Sequence, residues 1–110
     1  MNKVMHIRGD TFTRSWLIKD ESLSAIDLTG CAVRFQARDI DGVLAVSSSV
    51  EDGGITLDAI AGRIDLKVSK TAMQIDTGRY NFDLEVTYPD DTRITYEQGM
   101  LIILQDYAYG

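Results

Sequence analysis

A chain of 110 residues, 45% hydrophobic and 25% charged, has the length and balance of one folded domain (residues 1–110), which excludes a disordered tail and leaves no room for a second core. A net charge of −6 disfavours a generic phosphate-backbone binder, so nucleic acid is not an expected partner. No apolar run is long enough for a membrane span or a secretory signal, so the chain reads as having no signal peptide and no membrane partner, and as made and kept in a cytoplasm.

The first informative stretch is HIRGDTFTRSW, His6 to Trp16. It contains Arg8-Gly9-Asp10, a tripeptide that some adhesive proteins present to integrins. A three-residue match carries little information, and Gly9 followed by Asp10 is also what a tight corner between two strands asks for. The corner is the preferred reading.

Alternation of apolar and polar residues then predicts strands along most of the chain. Thr11 to Lys19 places Phe12, Trp16 and Ile18 on one face, with Arg14 as the exception. Cys31 to Arg38 turns Val33, Phe35 and Ala37 inward, and Arg63 to Ser69 does the same with Ile64, Leu66 and Val68. Gly78 to Tyr88 is the clearest, with Tyr80, Phe82, Leu84, Val86 and Tyr88 alternating against Arg79, Asn81, Asp83, Glu85 and Thr87. Strands with one wet face each imply antiparallel sheets. Asp41-Gly42, Asp52-Gly53-Gly54 and Pro89-Asp90-Asp91 supply turns at spacings suited to a sandwich or barrel. Between Ser69 and Ile75 the capping-box spacing of Thr71 and Gln74 predicts one short helical turn near residues 70–75.

Immediately after that turn comes Asp76-Thr77-Gly78-Arg79-Tyr80-Asn81-Phe82. In immunoglobulin-type sandwiches a tyrosine near the start of strand F, two residues before an inward core position, bonds back to the preceding corner. Asp76, Gly78 and Tyr80 fit such a corner, and Phe82 fills the position that antibody domains give to a cysteine. The alternative is that Tyr80 is merely a buried strand aromatic. The fold expected is therefore all-β, an immunoglobulin-like antiparallel β-sandwich of about seven to nine strands.

The order of Gly9-Asp10-Thr11, Asp27-Leu28-Thr29-Gly30, Gly54-Ile55-Thr56-Leu57 and Gly62-Arg63-Ile64 carries a resemblance. So does Gly78-Arg79-Tyr80-Asn81-Phe82-Asp83-Leu84 followed by Ile94-Thr95-Tyr96-Glu97-Gln98-Gly99. The chain resembles the immunoglobulin-like domain of phage baseplate upper proteins and related small phage or prophage tail proteins. The resemblance implies a non-enzymatic virion component, made in a bacterial cytoplasm and located in the tail, whose partners are other tail or baseplate proteins. In that family the domain commonly opens a longer protein, whereas this chain ends at Gly110 just after its last strand, which favours an assembly or accessory role over host recognition.

Other chemistry is thinly represented. His6 is the only histidine and sits in no nucleophile motif, so it reads as a strand residue and no catalytic residue is assigned. Cys31, the only cysteine, cannot form an internal disulfide and reads as a small, partly buried apolar residue. Carboxylates at Asp39 and Asp41, Glu51 and Asp52, and Asp90 and Asp91 could reach calcium from adjacent loops, but none has a calcium-loop spacing, and solvated turn residues are the preferred reading. No cofactor or metal is expected.

The last strand is the best interaction candidate, because GMLIIL, Gly99 to Leu104, is apolar on both faces. If Met100, Ile102 and Leu104 enter the core, Leu101 and Ile103 need another cover, and a subunit contact, in a homo-oligomer or with another tail protein, would provide it. A bulge at Gln98-Gly99, or cover from an Asn2 to Arg8 strand, would remove the need. The second function class is a carbohydrate- or cell-surface-binding sandwich of adhesin type, presenting Tyr88, Tyr96, Tyr107 and Tyr109.

Overall fold

A computed structural model of the protein describes residues 2–107. The strands are β1 (Asn2–Ile7), β2 (Phe12–Leu17), β3 (Ala32–Arg38), β4 (Leu44–Ser49), β5 (Ile55–Asp58), β6 (Arg63–Val68), β7 (Gly78–Thr87) and β8 (Arg93–Leu104). They form a five-stranded sheet in the order β1-β8-β7-β3-β4 and a three-stranded sheet in the order β2-β6-β5. The two pack as a β-sandwich, and the alternation predicted for β3, β6 and β7 has the correct phase. Val33, Phe35, Ala37, Ile64, Leu66, Val68, Tyr80, Phe82, Leu84 and Val86 are all buried. Phe35 lies at the centre, with its ring near those of Phe12, Trp16 and Phe82.

Neighbouring strands are antiparallel with one exception. β1 runs parallel to β8, from Asn2 opposite Gly99 to Ile7 opposite Leu104. The chain leaves β1 at the edge of the larger sheet and enters β2 in the smaller one through Arg8-Gly9-Asp10. This is the corner the sequence suggested. Gly9 has φ +84°, a left-handed conformation that side-chain-bearing residues rarely adopt. Its amide donates to the Met73 carbonyl, the Arg8 Nε donates to the Ile75 carbonyl, and the Asp10 amide donates to the Ile7 carbonyl. Arg8 is thus spent on holding the corner against the turn before β7.

That turn is not helical. The Met73 amide donates to the Ser69 carbonyl and the Gln74 amide to the Thr71 carbonyl, while the Ser69 hydroxyl caps the Ala72 amide. No helix forms in the segment, and Ser69 does the capping that the sequence reading gave to Thr71. The physical reason is that a single turn carries the whole cost of helix nucleation, and Asp76-Thr77-Gly78 leads the chain directly into β7 before a second turn can repay it.

At the start of β7 the Tyr80 hydroxyl donates to the Asp76 carbonyl at 2.6 Å. Gly78, with φ +136°, turns the chain between the two. Burial pushes the Tyr80 phenol above its ordinary value, so the hydroxyl stays protonated and remains a donor. Tyr80→Phe is expected to lower stability by about 1 kcal/mol, the usual net value of one such bond, as read from urea denaturation. An unchanged midpoint would mean that the corner is held by packing alone.

The pairing of β7 with β8 slips between Leu84 and Glu85, where Glu97 lies opposite Leu84 but Thr95 lies opposite Glu85. Tyr96 is the extra residue. A bulge of this kind exchanges the faces of every residue beyond it. Up to Tyr96 the even-numbered residues of β8 turn inward, and from Glu97 onward the odd-numbered ones do. This overturns the candidate contact surface on the last strand. Leu101 and Ile103 are 1% and 2% exposed and lie in the core, opposite Tyr80 and Gly78.

Candidate interaction surface

The exchange of faces sends Met100, Ile102 and Leu104 to the outer side of the five-stranded sheet. β1 extends this apolar stripe, since paired residues of neighbouring strands share a face. Three rows cross the sheet there. Lys3, Met100, Asn81 and Arg38 form the first, Met5, Ile102 and Arg79 the second, and Ile7 and Leu104 the third. Met5 is 64% exposed, and Ile7 and Leu104 are also exposed. Scattered apolar side chains are normal on a protein surface, but five adjacent ones across two strands form a contiguous patch. Ile40, from the β3–β4 turn, is exposed at its margin beside Arg79, Asn81 and Met100.

The inner side at the same end of the sandwich carries a polar cluster. Glu97, the first inward residue after the bulge, accepts from Arg14 twice, at 2.8 and 2.7 Å, and from the Trp16 indole at 3.0 Å. The Asn2 side chain donates to the same carboxylate. The Arg14 guanidinium lies 5.8 Å from the Trp16 ring centre and 5.7 Å from that of Phe82. Arg14, the exception in the β2 alternation, therefore points inward because its charge is met by Glu97 across the gap between the sheets. Glu97 has 11% of its side chain exposed. The Arg14 hydrogen bonds, reinforced by those from Trp16 and Asn2, hold its carboxyl below the ordinary glutamate value despite partial burial. The cluster joins β1, β2 and β8, and nothing in it presents a nucleophile or a free acid. Sequence reasoning missed Glu97; its only hint was the unexplained Arg14.

The acidic loops are occupied by their own backbones. Asp39 accepts from the amides of Asp41 and Val43, Asp52 from those of Ser49 and Gly54, and Asp90 from that of Thr92. The bonds to Asp52 and Asp90 stabilise their charged forms and hold those carboxyls below the ordinary aspartate value. Among the described residues no three His, Cys, Asp or Glu side chains gather in a way that could hold a metal ion. Cys31 is half-buried, and burial raises its thiol, which keeps it protonated and poorly nucleophilic. His6 packs edge-on against Phe12 and its Nε2 is hydrogen-bonded to the Asp10 carbonyl.

Among the described residues, the tyrosines proposed for glycan recognition do not form a shared platform. Tyr88 and Tyr96 are half-buried and hydrogen-bonded to each other through their hydroxyls. Tyr107 is exposed, and Tyr109 lies outside the described residues.

No family model matches the chain, and no curated protein matches it by sequence. Solved structures do match. CopC from Methylosinus trichosporium OB3b aligns over 94% of this chain and 84% of its own, with a TM-score of 0.56 at 10% identity. The fibronectin(III)-like modules of Clostridium thermocellum CbhA align over 94% of this chain, with a TM-score of 0.54 at 14% identity. The chain spans 42% of that structure's length. Likeness at such identity concerns backbone architecture alone: the chain is an all-β sandwich of the immunoglobulin and fibronectin-III-like type.

Proposed function

We propose that the protein is a non-enzymatic assembly or accessory component of a phage or prophage tail or baseplate, acting through protein–protein contacts. The observation that carries this reading is the contiguous apolar stripe of Met5, Ile7, Met100, Ile102 and Leu104 on the outer face of β1 and β8. Such a stripe lies outside the core between the sheets and suits a surface that another protein covers. The motif order that resembles baseplate upper proteins supplies the assembly. The titratable groups support the same reading, since the carboxylates of Glu97, Asp39, Asp52 and Asp90 are engaged in holding strands and turns.

Phage particles purified from the strain that carries the gene provide the test. The wild-type chain is expected to sediment with tails, whereas Met5→Asp with Ile102→Asp is expected to fold normally and remain in the particle-free fraction. A wild-type chain found only in the particle-free fraction would contradict the proposed function.

A further inference from the structure

β1 is the outermost strand of the five-stranded sheet, so one of its edges is unpaired. The Arg8 amide donates to the Leu104 carbonyl, which fixes the phase of the ladder. Even-numbered residues turn their amides toward β8, and the odd-numbered ones, Lys3, Met5 and Ile7, turn theirs toward the open edge. Among the described residues, only the Ile7 carbonyl is satisfied on that side, by the Asp10 amide at the corner. β1 contains no proline and no bulge, two of the devices that protect a sheet edge from pairing, and its one strongly charged residue is Lys3, whose charge selects against basic strands rather than acidic ones.

The charge around this edge is opposite in sign to that of the protein. The net charge is −6, yet the three rows that carry the apolar stripe contain Lys3, Arg79 and Arg38 and no acid. None of these three cations has a carboxylate within ion-pair distance among the described residues, although Asp83, one row along on the same face, interacts electrostatically with Arg38, which leaves Lys3 and Arg79 as the uncompensated pair. The nearest ion pair on the same face joins Arg34 to Glu85, farther along β7. A second copy of the chain would bring another basic edge and another acidic body, so the charges favour a different occupant.

From this juxtaposition of an open edge, an apolar stripe and unpaired cations, we infer that β1 accepts an extended acidic strand from a partner protein. The strand adds to the sheet beside β1, an apolar side chain continuing the Met5–Ile102 row and, two residues along on the same face, a carboxylate meeting Lys3, while Arg79 on β7 contributes only longer-range attraction. Main-chain hydrogen bonds supply affinity, and the carboxylates supply selectivity. The inference rests on the reading of this face as a protein contact and adds the chemistry of what binds it.

Ten-residue peptides with threonine at every second position, the positions between alternating valine with glutamate, lysine or serine so that both fall on one face, are the probes, and backbone amide exchange of the labelled protein is the readout. The glutamate series is expected to slow exchange at Lys3 and Met5 at least tenfold, with the β4 edge unaffected and the lysine series inactive. Met5→Pro removes one outward amide while leaving the bonds to β8, a substitution that edge strands tolerate, and is expected to abolish the protection. Lys3→Glu, which leaves the backbone alone, is expected to weaken the glutamate series about tenfold at low salt and to favour the lysine series. Equal binding of all three series, absence of protection at β1, or protection at another edge would overturn the inference. So would β1 protection that rises with protein concentration without peptide, since the occupant would then be a second copy. Failure here with the chain still found on tails removes only the strand addition; peptide binding by a chain absent from tails removes only the tail assignment.

Discussion

Leu101→Asp combined with Ile103→Asp is expected to leave the protein unfolded at room temperature, with no cooperative transition on heating. Both side chains are essentially inaccessible in the core beneath β7. Losing a buried leucine or isoleucine costs about 2–5 kcal/mol, and burying a carboxylate without a partner adds several more. A 110-residue domain has a total stability of about 5–15 kcal/mol, so the pair consumes all or most of it. Leu101→Ala is the milder form and is expected to remain folded at a cost of about 2–4 kcal/mol. A double-aspartate variant that kept the wild-type circular dichroism and urea midpoint would mean that the odd-numbered residues of β8 face outward after all.

Glu97 carries the second large effect. Its carboxylate accepts from Arg14, Trp16 and Asn2, and its removal leaves a guanidinium between the sheets with no carboxylate. Glu97→Ala is expected to cost about 2–3 kcal/mol, the range for hydrogen bonds to a charged group in a partly exposed setting, as read from urea denaturation. Because Arg14 retains some access to water, the loss falls short of that for a fully buried pair. The same geometry fixes the sign of a pH effect. The folded-state value of Glu97 lies below the ordinary 4.5, so its contribution is present above 4.5 and is lost as pH falls through the lower folded value. Glu97→Gln should flatten that acid limb of the stability profile. A limb of unchanged depth would assign it to the other carboxylates, Asp52 and Asp90 among them.

The architecture was legible where the apolar and polar residues alternate without interruption. β3, β6 and β7 declare their inner faces in the sequence, and Asp76 to Phe82 announces the corner that the Tyr80 hydroxyl closes on the Asp76 carbonyl. The last strand shows where alternation fails. Ile94 and Tyr96 follow the even-numbered phase, and an apolar run on both faces gives no sign that the phase changes. The sequence raised a bulge at Gln98-Gly99; the slip occurs at Tyr96, slightly earlier, and exchanges Leu101 and Ile103 for Met100, Ile102 and Leu104. Gly99 contributes differently, because a side chain there would meet the Phe82 ring and the Asn2 carbonyl within 2.7 Å. It lets β1 lie close against β8.

The site itself was only half legible. That the last strand has too much apolar surface for one core could be read, and it led to the strand that carries the outer apolar stripe but to residues that lie in the core. The sequence raised an Asn2 to Arg8 strand beside the last one, and β1 does pair with β8, but that it runs parallel and adds Met5 and Ile7 to the outer stripe could not be read, because a partner about a hundred positions away in sequence leaves no local signal. The same is true of Arg14 and Glu97, separated by 83 residues. Local turn chemistry, by contrast, was legible in the acidic loops, where Asp39, Asp52 and Asp90 each cap amides within a few residues of themselves.

The central claim is that the Tyr96 bulge assigns Leu101 and Ile103 to the core and leaves Met5 and Ile102 for a partner. Urea denaturation of two double variants side by side, Leu101→Asp with Ile103→Asp and Met5→Asp with Ile102→Asp, tests it most directly. The account predicts that the first pair has no folded baseline while the second unfolds within about 1 kcal/mol of wild type, as outward strand positions allow. The reverse outcome, with the first pair folded and the second unfolded, would contradict the register of β8 and, with it, the proposed surface.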